Sequence, residues 1–332
     1  MKIGIWGSYD KGNFGDDLMA YMISNYLIQH GHEPVVFCAS AGLVEESEVR
    51  SIESLDEFVS SVDIVVIGGG GMLINNSPLR FLLKKVAFEF EMSFYRLYRS
   101  LRKHGKNIYP ISIGGDGNLG LNNPFKKRLF SSPTCIGGTV RLASDLKVVD
   151  NKLFSCFSDI VLSTGRIFPK TDVVKSNTVV LNLKQKNGGS LIEYLSKSSL
   201  REKFNFVTFG SHLNSVEGVS EYELKAEFPH YQHENLKDSL GFLAQSCAVI
   251  SSKLHVGVAG LAYGTPFISY KGPAKAAEFL NTVGLSDYVV SNVSSLGELL
   301  LRLDSYPIQN LKTPISESMQ HYTELERNLR MS

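Results

Sequence analysis

Residue types able to do chemistry gather in three places along this 332-residue chain. The densest is Ser251-Ser252-Lys253-Leu254-His255, followed by Gly264-Thr265-Pro266, Ser269-Tyr270-Lys271 and Lys275. An imidazole among ammonium groups can move protons beside a bound anion, because the cations offset the ligand's charge while histidine titrates near neutrality. Ser252, Lys253 and His255 fall where a strand gives way to a helix, and Lys271 and Lys275 follow the next strand. All are therefore expected to converge on one crevice. The second place is Gly7-Ser8-Tyr9-Asp10-Lys11-Gly12-Asn13-Phe14-Gly15-Asp16-Asp17, after the first strand and opening the first helix. Glycines allow close backbone approach and a helix start attracts anions. Asp16 and Asp17 make that end negative, which suits hydroxyl recognition better than phosphate; an aspartate capping the helix is the structural alternative. The third is Gly68-Gly69-Gly70-Gly71, whose backbone N–H groups are expected to lie open at a strand end as an anion nest, with a flexible turn as the structural alternative.

Several chemistries find no support. The first loop is neither Gly-x-Gly-x-x-Gly nor a Walker sequence, and the chain has no Gly-x-Ser-x-Gly elbow and no kinase motif set. No metal is expected, since His255 has no second ligand at suitable spacing; His230 and His233 read as surface histidines in a loop. Cys38, Cys135, Cys156 and Cys247 are scattered, which argues against a disulfide framework or a structural zinc.

Positioning these residues requires strands alternating with crossover helices, and the hydrophobic pattern supplies them. Strands are predicted at 2–6, 34–37, 63–67, 107–113 and 139–141, with helices at 16–30, about 80–104 and from Ser144. A linker-like stretch containing Gly165 and Pro169 follows. Strands then recur at 178–183, 205–209, 248–250 and 266–269, with helices at 236–246, 254–263 and from Ala274. The fold expected is α/β: two doubly wound Rossmann-like domains, 1–168 and 175–332, with a ligand cleft between strand carboxyl ends. The amphipathic helix at 316–330 is expected to pack back on the first domain.

Lys and Arg number 34 against 33 for Asp and Glu, a balance that argues against a general nucleic-acid binder. The chain opens directly on a strand, so no signal peptide is read. The longest apolar stretch, 81–98, is broken by Lys84, Lys85, Glu89, Glu91 and Arg96, too many charges for a membrane crossing. A cytoplasmic location without an integral membrane segment is expected; oligomeric state is open.

Taken together, Gly12-Asn13-Phe14-Gly15-Asp16-Asp17, the run Gly68 to Gly71, Thr139-Val140-Arg141, Lys253-Leu254-His255, Gly264-Thr265-Pro266 and Lys275-Ala276-Ala277-Glu278-Phe279-Leu280 resemble the polysaccharide pyruvyltransferase family. The resemblance implies a fold similar to the GT-B glycosyltransferases. It implies transfer of pyruvate from phosphoenolpyruvate to a sugar of a surface polysaccharide or cell-wall glycan, forming a ketal without a cofactor or metal. Carried over, His255 is the catalytic proton-transfer residue, and Arg141 and Lys275 match the family's donor-site arginine and lysine; Lys253, Ser252 and Lys271, which competes with Lys275, are further donor-binding candidates. Asn13, Asp16, Asp17, Gly69 and Gly70 are on the acceptor side. The partners implied are phosphoenolpyruvate and a saccharide acceptor; a lipid-linked one would bring transient work at the inner membrane face. Lys253 stands where the family usually has arginine, and lysine cannot grip a carboxylate in two-pronged fashion. A nucleotide-sugar glycosyltransferase of GT-B type is the alternative, and an inactive scaffolding relative is a third class.

Overall fold

The computed structural model describes residues 1–76, 83–117, 120–149, 152–213 and 228–331. By internal contacts the chain forms two compact units: residues 1–10, 19–160 and 317–332 make the first, and residues 11–18 and 161–316 the second. The units therefore do not follow the contiguous ranges 1–168 and 175–332, because residues 11–18 group with the second unit and 317–332 with the first.

In the first unit the strands β1 (Lys2–Trp6), β2 (Glu33–Phe37), β3 (Arg50–Ile52), β4 (Ile64–Gly70), β5 (Asn107–Ile113), β6 (Gly138–Val140) and β7 (Phe154–Cys156) form one sheet. Their order is β3-β2-β1-β4-β5-β6-β7, with every pair parallel. Helices cover both faces of such a sheet, so its central strands read as unbroken apolar runs. Trp6, Val65, Ile67, Phe94, Leu97 and Ile113 belong to the buried core beside the sheet. The Lys85–His104 helix ends at Gly105 in a left-handed conformation, with Arg102, Lys103 and His104 in its last turn, where cations favour the negative helix end. Residues 80–82, predicted to begin it, lie outside the described residues.

The glycine run departs from its expected role. Strand β4 does not stop at Ile67 but continues through Gly68, Gly69 and Gly70, which are buried and run alongside β5 with Gly68 opposite Ile111 and Gly70 opposite Ile113. The Gly70 carbonyl accepts from Gly114 N–H at 2.9 Å. A Cβ on Gly68 would collide with the Tyr9 hydroxyl, and one on Gly69 with the Met19 sulfur. These glycines let neighbouring side chains lie flat on the sheet. Gly69 and Gly70 are buried strand residues, not an open anion nest.

The second unit repeats the design with β8 (Thr178–Asn182), β9 (Asn205–Gly210), β10 (His230–Gln232), β11 (Ala248–Ser251), β12 (Phe267–Tyr270) and β13 (Val289–Val290). The order is β10-β9-β8-β11-β12-β13, again all parallel. Counted from β8, this is the doubly wound order of the first six strands of the other sheet, and such sheets bind ligands at their carboxyl ends. Leu181, Leu191, Ile250, Ile268 and Leu296 form its core. Among the described residues, no helix is long and apolar enough to cross a membrane.

The predicted terminal helix is two, Lys312–Ser318 and Gln320–Leu329, and the latter packs against β5 and β6. Its His321 is fully buried; Nε2 donates to the Ser158 carbonyl at 2.9 Å and Nδ1 accepts from the Thr139 hydroxyl at 2.7 Å. Burial, with a smaller push from Arg141, lowers its pKa from 6.5 to about 3. The unfolded chain therefore binds a proton between about pH 6.5 and 3 that the folded chain refuses, so stability is full above the unfolded value and falls as pH drops through this window. Urea unfolding at pH 7 and pH 5 should show the wild type losing about 2 kcal/mol more than His321→Gln on acidification. An equal loss in both proteins would contradict a buried neutral imidazole.

Candidate functional site

Parallel pairing sends the carboxyl ends of β8, β9, β11 and β12 to one edge of the second sheet, and a buried amide joins three of them. Asn182, the last residue of β8, donates through Nδ2 to the Phe209 carbonyl at 2.9 Å. Its Oδ1 accepts from the Ser251 hydroxyl at 2.9 Å. Ser251 Oγ in turn accepts from Lys253 N–H at 2.9 Å, turning the chain from β11 into the Leu254–Ala262 helix. The loop after β11 is thereby held against the loop after β9.

Onto that edge the 11–18 segment is stitched by backbone bonds. Phe14 N–H donates to the Ser211 carbonyl at 2.8 Å and Leu213 N–H to the Gly12 carbonyl at 2.9 Å, an antiparallel bridge pairing Asn13 with His212. Asn13 precedes the Phe14–Gln29 helix, and its Oδ1 accepts from Gly15 N–H at 3.0 Å. The cap is therefore Asn13, while Asp16 and Asp17 lie inside the first turn; Asp17 is buried and Asp16 half-buried.

These contacts assemble a cluster of nitrogen groups. With Asn13 Oδ1 committed to Gly15, its Nδ2 points to His212 Nε2 at 3.1 Å. Lys253 Nζ lies 3.4 Å from His212 Nδ1 and donates to Ser211 Oγ at 2.7 Å. Lys253 and Asn13 thus hold the His212 ring from its two nitrogens. His255, half-buried, lies against the same segment: a Cβ on Gly15 would sit 2.5 Å from its Nδ1. Only glycine at position 15 leaves room for that ring.

The residues singled out from sequence thus separate. Lys253, His255 and Asn13 come together in the second unit. Lys275 is half-buried in the first turn of the Ala274–Thr282 helix. Lys271 is exposed, with Nζ 5.2 Å above the Tyr270 ring and 3.5 Å from Ser190 Oγ. Ser252 is a correction: it is fully buried and its hydroxyl donates to the Tyr270 carbonyl at 3.1 Å, joining β11 to β12 rather than greeting a donor. Arg141 is another. It belongs to the first unit, its side chain is wholly buried, and it forms an ion pair with buried Asp159 at 3.4 Å. His233 is not a surface residue but buried, with Nδ1 2.8 Å from Ser239 Oγ and its ring edge-on to Phe14. Sequence reasoning missed Ser211 and His212, although Gly210-Ser211-His212 directly after a predicted strand was a readable signal. Among the described residues, no group of three or more His, Cys, Asp or Glu side chains is placed to hold a metal.

Residues 13–137 match the family model for polysaccharide pyruvyl transferase, so the resemblance read from the sequence holds over that stretch. The match ends before Arg141 and the Lys253–His255 cluster. No curated protein matches the chain. Solved structures with the same fold include a putative UDP-N-acetylglucosamine 2-epimerase from Listeria monocytogenes, at 11% identity and a TM-score of 0.62, covering 98% of this chain and 94% of that one. The UDP-GlcNAc 2-epimerase of Neisseria meningitidis aligns over 100% of both chains at 13% identity, with a TM-score of 0.60. Anabaena HepE, solved with UDP and glucose, also covers both chains fully, at 10% identity and a TM-score of 0.56. At such identities the likeness concerns the fold: two parallel-sheet α/β units of the GT-B kind.

Arg141→Ala would leave Asp159 buried without its cation, and removing one partner of a buried pair costs about 3–5 kcal/mol. Denaturant unfolding should show that loss. A change under about 1 kcal/mol, as for an exposed pair, would return Arg141 to the pool of ligand-binding residues.

Proposed function

We propose that this chain, which carries the polysaccharide pyruvyl transferase signature over residues 13–137, moves pyruvate from phosphoenolpyruvate onto two hydroxyls of a glycan sugar, forming a ketal. The observation that most supports this is the gathering of Lys253, His212, Asn13 and His255 at one edge of the second sheet. Phosphoenolpyruvate carries a phosphate and a carboxylate, and charge-assisted N–H donors are what bind both. Lys253 and His212 are assigned to the phosphate. Lys275, with Lys271 as the second candidate, is assigned to the carboxylate. Arg141, buried in its own ion pair, is assigned to stability instead.

The transfer then balances as follows. Protonated His255 gives its proton to the methylene carbon, leaving oxocarbenium character at C2. A sugar hydroxyl forms a C–O bond to C2 and yields its proton to the now neutral imidazole. The C2–O bond to phosphate breaks, phosphate leaving with the electron pair. A second hydroxyl closes the ring on C2, and its proton departs with the phosphate. Asp16, half-buried in the first helical turn, is the carboxylate assigned to the acceptor hydroxyls; Asp17 is too enclosed for that task.

Acceptor-dependent release of inorganic phosphate from phosphoenolpyruvate, screened over surface glycans, tests the reading. His255→Ala should lower turnover by about 10²–10⁴, the usual share of general acid–base catalysis, with the melting temperature unchanged. Lys253→Ala should chiefly raise KM for phosphoenolpyruvate. Full activity in His255→Ala would remove the proton-transfer role. Consumption of a sugar nucleotide with no use of phosphoenolpyruvate would favour the glycosyltransferase reading.

A further inference from the structure

Two loops of the first unit each carry a pair of asparagines that the transfer chemistry does not use. Asn75-Asn76 lies in the loop after β4, and Asn122-Asn123 in the loop after β5. The two strands are parallel neighbours, so both loops leave the same edge of the sheet, beside the point between β1 and β4 where the strand order reverses. Their amides clasp them together. Asn75 Nδ2 donates to the Gly120 carbonyl, and its Oδ1 accepts from Asn122 N–H at 2.8 Å. From opposite loops, Asn76 Nδ2 donates to Glu91 Oε1 at 2.8 Å and Asn123 Nδ2 donates to Glu91 Oε2.

Glu91, on the Lys85–His104 helix, is buried, and its charge is met at 3.0 Å by Lys126, which is buried too. Lys126 Nζ also donates to the Ile74 carbonyl at 2.7 Å and lies over the Phe90 and Phe94 rings. Desolvation offsets much of the attraction within a buried ion pair, so its net stabilisation is small; what this one does is tie both loops to one helix. Glu91 and Asn123 line a cavity of about 310 Å³. Met92, Pro124 and Phe125 give it an apolar wall, and Asn76 and Asn122 add uncharged polar groups. Asn76 Oδ1 and the side-chain amide of exposed Asn122 take no part in the clasp.

We propose that this cavity holds one uncharged sugar ring of the acceptor glycan, with the ring's C–H face on Phe125 and Met92 and its hydroxyls on the Asn122 and Asn76 amides. The volume is about twice the roughly 150 Å³ that encloses a benzene ring, and a hexose has about twice benzene's non-hydrogen atoms. An amide offers a donor and an acceptor, as a hydroxyl does, so the two match without any charge. Among the lining residues the one charge, on Glu91, is spent on Lys126, so an anion would find nothing there to offset it. A purely apolar chain would cover the Asn76 and Asn122 polar groups without bonding them, which is costly. All of these residues lie within the 13–137 stretch that carries the polysaccharide pyruvyl transferase signature. Naming a glycan as the source of the ring rests on the proposed transfer, whereas the match of cavity to sugar does not.

Saturation-transfer NMR of the full chain with the methyl pyranosides of glucose, galactose, mannose and N-acetylglucosamine, and with octanol as an apolar counterpart, tests it. At least one pyranoside should bind. Asn122→Ala should weaken that binding roughly three- to tenfold, the worth of a neutral hydrogen bond, with the melting temperature kept. Met92→Trp, which fills the cavity, should weaken it by more. No binding of any of the four pyranosides would overturn the proposal, and so would undiminished binding in either variant. Octanol binding that Met92→Trp abolishes, with no pyranoside bound, would assign the cavity to an apolar chain and overturn it as well. Pyranoside binding without turnover of phosphoenolpyruvate would sink the transfer reading alone; turnover without pyranoside binding would sink this site alone.

Discussion

Two backbone hydrogen bonds hold the candidate site together: Phe14 N–H to the Ser211 carbonyl and Leu213 N–H to the Gly12 carbonyl. They fasten the start of the first helix, distant in sequence, to the loop leaving β9. Without them Asn13 would not reach His212, and the His255 ring would have no wall at Gly15. The residue types in this segment follow from its two tasks. Asn13 caps the helix with one side-chain atom and orients an imidazole with the other. Gly15 gives up its side chain so that a histidine can lie against the backbone.

The doubly wound order, used twice, explains where chemistry can reside. Parallel strands place all their carboxyl ends on one edge, so loops far apart in sequence meet there while the strands themselves stay buried. The buried polar groups of the first unit do different work. Arg141, Asp159, Thr139, Ser158 and His321 sit around β6 and the terminal helix, where hydrogen bonds and an ion pair offset their burial. Half-buried polar groups on loops in the second unit, by contrast, retain the access that a ligand needs. Degree of burial, more than residue type, separates structural cations from those assigned to substrate.

Much of this was readable beforehand, for identifiable reasons. Strand 107–113 is predicted with both observed ends and the helix from Ala274 with its observed start, because each has strong periodicity and clear punctuation. Lys253 and His255 were found because a strand-to-helix junction leaves a definite residue at the sheet edge. The two- and three-residue strands β3, β7, β10 and β13 are too short to show a period. Arg141 and Ser252 misled because sequence discloses a functional group but not whether neighbours cover it. The glycine run misled for a related reason: in a buried strand, Gly68 and Gly69 make room for Tyr9 and Met19 as readily as an open loop makes room for a ligand. His212 was overlooked because its partners, Asn13 and Lys253, lie far away in the chain.

The central claim is that the nitrogen cluster around Lys253 and His212 binds phosphoenolpyruvate. Thermal unfolding of the wild type and of a Lys253→Ala/His212→Ala protein, each with phosphoenolpyruvate or with UDP-sugars, tests it most directly. A ligand at 100 times its dissociation constant stabilises by about 2.7 kcal/mol, enough to shift the melting curve. The account predicts that shift with phosphoenolpyruvate in the wild type and its loss in the double variant. Stabilisation by a UDP-sugar alone, or an equal phosphoenolpyruvate shift in both proteins, would contradict it.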